Sequence, residues 1–157
     1  METMIDFAQL DLRGAFDLAI MIEEDAQLRY EEFSRIFADM PGGAAEVFRE
    51  MAVNEAKHRR ELESRRRVMF RRDPRRVEIS VMEPDGVESA ELGELQPPFS
   101  ARQALEVALA AEVRAYEFYR CALPYVKDPG VRVFFEDLME EEVEHQAMLR
   151  AKLDALP

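Results

Sequence analysis

The chain has 157 residues, of which 48% are hydrophobic and 34% charged, with a formal net charge of −12; this fits a single domain over residues 1–157 and argues against general nucleic-acid binding. Sparse glycine beside abundant Ala, Glu, Leu and Arg is the balance of a helical protein. One cysteine, Cys121, excludes an internal disulfide and a four-cysteine metal site, while the absence of a leader and of any apolar run of about 18 residues predicts a cytoplasmic chain that enters no membrane.

Residues 1–10 read as a lead-in, after which Asp11 can cap a helix predicted over about 11–39. Its seam runs through Phe16, Glu23, Tyr30 and Phe37 on one row and Ala19/Ile20, Ala26 and Phe33 on the other. Glu23 thus occupies a core position, and Tyr30 follows about 10 Å along the same face. Pro41-Gly42-Gly43 breaks this helix, and a second is predicted over about 44–72. It carries Phe48, Met51, Glu55, His58 and Leu62 on one seam, and its end is strongly basic from Arg59 to Arg72, with Arg75 and Arg76 beyond. That run is expected to be a solvated helix end complementing the helix dipole, with a docking patch for an acidic partner as the alternative.

Residues 73–99 hold Pro74, Pro84, Gly86, Gly93 and Pro97-Pro98, so no long helix fits; Val77 to Val81 alternates like a short extended segment. A connection of this length is expected to be a crossover travelling the length of a bundle. Ser100 with Gln103 starts a third helix predicted over about 100–126, loosened at its end by Pro124. Asp128-Pro129 opens the fourth, over about 128–153.

The third and fourth helices repeat the first two. Ala108, Leu109, Glu112, Ala115 and Tyr119 answer Ala19, Ile20, Glu23, Ala26 and Tyr30, while Phe135, Leu138, Glu142, His145 and Leu149 answer Phe48, Met51, Glu55, His58 and Leu62. The chain has two histidines, and each closes a Glu-x-x-His. The expected fold is all-α: an antiparallel four-helix bundle made of two helical hairpins joined by a long crossover. Carboxylates at seam positions are costly to bury without a compensating charge, which a metal ion supplies. Glu23, Glu55, His58, Glu112, Glu142 and His145 are therefore the candidate ligands, and four carboxylates with two neutral imidazoles balance two divalent ions. Hard oxygen donors with one nitrogen per ion suit iron or manganese.

On these residues the chain resembles the ferritin-like superfamily and, within it, the rubrerythrin family, across about residues 11–154. The resemblance implies two iron ions, with manganese or zinc possible in a purified sample, and a non-haem di-iron oxidoreductase that reduces hydrogen peroxide or dioxygen by two electrons. Two departures stand out. Ala115 occupies a position where typical rubrerythrins carry a further glutamate, which brings the set closer to bacterioferritin and to a ferroxidase or iron-storage role. No four-cysteine rubredoxin domain follows Pro157, so the electron donor is expected to be a separate protein. A dimeric homo-oligomer is also implied. Tyr30 and Tyr119 are the candidate catalytic residues, able to hydrogen-bond ligand carboxylates or relay electrons, with plain core packing as the alternative. Asn54 and Glu141 are candidates to orient the histidines, or are simply surface residues. A metal-free helical interaction module is the remaining reading.

Overall fold

The computed structural model of the protein describes residues 5–71 and 99–157. Four long helices make up the described chain: α1 (Leu12–Ile36), α2 (Ala44–Met69), α3 (Ala101–Ala122) and α4 (Pro129–Ala155). Their starts follow from local chemistry. The Asp11 carboxylate accepts from the Gly14 N–H at 2.8 Å, and Asp128 accepts from Gly130 and Val131 at 2.8 and 3.1 Å, satisfying amides that have no partner inside the helix. Ser100 and Gln103 close the capping box read from their spacing.

The ends differ slightly from expectation. Helix α1 stops at Ile36 because Phe37 leaves helical geometry and stacks on Phe99, with centroids 4.7 Å apart. Helix α3 stops at Ala122, and Leu123–Tyr125 tighten into a 3-10 turn where Pro124 has no N–H to continue the ladder. Residues 73–98 of the expected crossover, including the alternating stretch 77–81, lie outside the described residues.

Gly42 and Gly43 take positive φ of 115° and 84°, which lets the chain reverse between α1 and α2 within a few residues. The Gly42 carbonyl then accepts from the Ala101 N–H at 2.9 Å, so the first turn of α2 sits beside the first turn of α3. Each hairpin is antiparallel, whereas α2 and α3 run the same way. Since α2 has 26 residues, it ends roughly 39 Å from where α3 begins.

The core is divided. One apolar cluster joins the end of α1 to the starts of α2 and α3 and the end of α4, around Phe33, Phe37, Phe48, Phe99 and Leu149. The other joins the opposite ends, around Phe16, Leu18, Leu62, Phe134, Phe135 and Leu138. Between them lie Glu23, Glu55, Glu112 and Glu142, each no more than 4% exposed.

The arginines ending α2 depart from the expectation of a wholly solvated run. Arg66 is buried and grips Asp17 of α1 through Nε at 2.5 Å and Nη2 at 3.3 Å. Arg65 lays its guanidinium over the rings of Phe16 and Phe134, 5.3 and 5.5 Å from their centroids, and Arg59 pairs with Glu24 at 3.6 Å. Asp17→Ala leaves a buried guanidinium without its carboxylate and is expected to cost about 3–5 kcal/mol, most of which Asp17→Ala/Arg66→Met should restore. Denaturant unfolding of the three proteins measures this; equal midpoints for the single variant and the parent would show that the pair is immaterial.

Candidate metal centre

The six residues singled out from the sequence converge in the layer between the two apolar clusters. They form two groups, Glu23/Glu55/His58 and Glu112/Glu142/His145, in each of which one donor atom per residue lies within 4.8 Å of the others. Each group takes a single glutamate from α1 or α3 and a Glu-x-x-His from the helix that follows it. The three-residue spacing turns the histidine by about 300°, which returns it to nearly the same face as its glutamate one turn higher.

His58 Nδ1 stands 3.9 Å from Glu23 Oε2 and 3.8 Å from Glu55 Oε2; His145 Nδ1 stands 3.4 Å from Glu112 Oε2 and 3.5 Å from Glu142 Oε2. Across the pseudo-twofold axis the two imidazoles stack, with centroids 4.3 Å apart and planes 7° from parallel. The two groups thus face each other as near copies.

Electrostatics mark the layer as under-compensated by protein alone. Burial pushes the Glu23 carboxyl well above its usual range, and the neighbouring Glu55, Glu142 and Glu112 push the same way. Burial likewise raises Glu142. For His145 burial alone would lower the pKa, but the Glu112 and Glu142 carboxylates outweigh it and hold the imidazole up at about 10. Both oxygens of Glu55, Oε2 of Glu23 and of Glu142, and Nδ1 of both histidines have no hydrogen-bond partner. Buried acceptors left in this state cost about 1–3 kcal/mol each, and more when charged. Two divalent cations would meet all of them at once, and two carboxylates with one imidazole around each ion fit iron or manganese.

The flanking residues divide. Tyr30 is fully buried in one apolar cluster, stacked on Phe48 at 6.0 Å; Tyr119 is buried in the other, edge-on to Phe135 at 5.1 Å. They stand on opposite sides of the carboxylate layer, as the internal repeat requires. Ala115, also fully buried, occupies the position of α3 one turn beyond Glu112. Asn54 is half-buried and lines a groove on the outer wall of α2. Glu141 lies closer to the histidines: burial raises its pKa, while Arg65, His145 and His58 draw it down. The imidazole stack and the Asp17–Arg66 pair have no counterpart in the sequence reading. The first requires knowing that α2 and α4 face one another, and the second was hidden in a run of seemingly equivalent arginines.

The rubrerythrin family profile matches residues 15–153. The chain belongs to the rubrerythrin family. Its bundle is accordingly ferritin-like, and the solved structure of an uncharacterized conserved protein from Magnetospirillum magnetotacticum MS-1 is similar to it, with a TM-score of 0.69 and 26% identity over 94% of this chain and 97% of that one. No curated protein matches the sequence. Among the described residues, no helix of this rubrerythrin-family chain is long and apolar enough to cross a membrane.

Proposed function

We propose that this member of the rubrerythrin family is a non-haem di-iron oxidoreductase that reduces hydrogen peroxide by two electrons. The observation that carries the reading is the convergence, between two apolar clusters, of four buried carboxylates and two imidazoles in two three-residue groups, within which both oxygens of Glu55, Oε2 of Glu23 and of Glu142 and Nδ1 of each histidine lack a hydrogen-bond partner. Glu23, Glu55 and His58 hold one ion, and Glu112, Glu142 and His145 the other. When bound, the ferrous pair supplies the two electrons that, with two protons, convert one peroxide to two waters.

The remaining work belongs to the protein. The four glutamates neutralise the charge of the ions and keep them paired in a water-poor interior. The phenylalanines and alanines on either side exclude bulk water. Protons that Glu23, Glu142 and His145 carry without metal leave when it binds, because a ligand atom must be deprotonated. Tyr30 and Tyr119 sit beside the ligand layer, where we assign them to orienting carboxylates or relaying electrons. Re-reduction is assigned to a separate electron-donor protein.

A second reading is ferroxidase or iron handling. Ala115 favours it, since a buried methyl group one turn from Glu112 offers no fifth carboxylate. The two readings separate when anaerobically iron-loaded, reduced protein is mixed with peroxide or with dioxygen and the oxidised centre is followed by absorbance. Peroxide is expected to react faster, with no more than about two irons retained per chain. Rapid oxidation by dioxygen with continued iron deposition would overturn the peroxidase reading in favour of storage.

A further inference from the structure

Of the six converging side chains, only the histidines reach solvent: His58 is 21% and His145 15% exposed, against 6% or less for each of the four glutamates. Their outer edges lie where α2 and α4 are bridged by side chains. Lys152 meets Glu50 at 3.1 Å toward one end, the imidazole stack fills the middle, and Arg65 reaches Phe134 toward the other. Among the described residues, the ligand layer also adjoins close-packed core such as Ala26, Ala111, Ala115 and Tyr30, all fully buried.

A groove of about 400 Å³ runs along this side, lined by Val53, Asn54, Met148 and Lys152 among others. Asn54 stands one helical turn before His58 and Met148 one turn after His145, so the groove ends about one turn short of the imidazoles. Parting two stacked rings that already touch solvent needs only side-chain rotation, whereas any other path must separate packed helices.

We propose that the stacked His58–His145 pair is the gate of the centre, through which divalent cations pass from the α2–α4 face to the buried carboxylates. The proposal rests on the di-metal reading above.

The test is stopped-flow uptake of Co²⁺ by the metal-free protein, followed by the absorbance of the bound ion. Met148→Trp, which adds bulk beside His145, should slow uptake several-fold while leaving the final number of ions per chain unchanged. Val113→Trp, equally bulky at an exposed position of α3 next to Glu112, should take up cobalt at the parent rate. Parent-like uptake by the Met148 variant, or equal slowing by the Val113 variant, would overturn the gate. Failure of the parent protein itself to bind cobalt would overturn the di-metal reading, and the gate with it.

Discussion

Replacing Glu23 by alanine is expected to lower the iron content of the anaerobically loaded protein from about two ions per chain to about one, and Glu112→Ala to do the same from the other half. Each substitution leaves one ion with a single carboxylate and a single imidazole while the opposite group stays intact. Altering residues that merely orient a metal ligand already costs about 10–100-fold in affinity, so removal of a ligand at these partly desolvated positions should cost more. The double variant should bind neither ion. Glu24→Ala removes the adjacent carboxylate, which pairs with Arg59 outside the layer, and should retain both. Elemental analysis after gel filtration decides the matter; unchanged stoichiometry in the Glu23 and Glu112 variants would end the assignment.

Removing the metal should produce the largest stability change. With free metal at a thousand times the dissociation constant, each site contributes about 4 kcal/mol, so two sites together approach about 8 kcal/mol. The dependence on pH follows from the protons. Glu23 and Glu142 have folded-state pKa values above their usual range, and His145 is held at about 10 rather than 6.5. Groups raised in this way stabilise the metal-free fold fully in acid. For the glutamates that stability is lost as pH climbs above about 4.5 and through their raised values; for His145 the loss falls between 6.5 and about 10. The metal-loaded fold follows the opposite course, because protons compete with the ions for the same atoms. Calorimetry should therefore show the gap between loaded and chelated melting temperatures widening from pH 5 to pH 8. A gap that stays constant or narrows over this range is incompatible with the buried carboxylates being the ligands.

Much of the centre was legible in the sequence because a bundle seam is periodic and charged residues on a seam are conspicuous. Phe135, Leu138, Glu142 and Leu149 fall on two heptad rows, and all four are buried. The internal repeat then supplied the pseudo-twofold partner of every ligand. Helix starts were equally readable, since Asp11, Ser100 and Asp128 act through bonds only two or three residues long. What periodicity could not convey is how one helix face meets another. Arg66 looks like its neighbours until Asp17 is placed across from it, and that depends on how α1 and α2 sit against each other. The parallel course of α2 and α3 similarly depends on contacts between residues distant in sequence, such as the bond from the Ala101 N–H to the Gly42 carbonyl and the packing of Phe48 on Phe99.

The division of the core by the carboxylate layer bears on how the molecule folds as a whole. Two apolar clusters on either side of a charged slab gain little from one another directly, because their contacts are made almost entirely within each end. Without ions, the elements that link them among the described residues are the four helices that cross the slab, which lets the ends open as separate units with different local stabilities. Ions that tie α1, α2, α3 and α4 together at that level remove this independence. Residues proposed to hold the ions would thereby also make the two ends of the protein rise and fall as one cooperative unit.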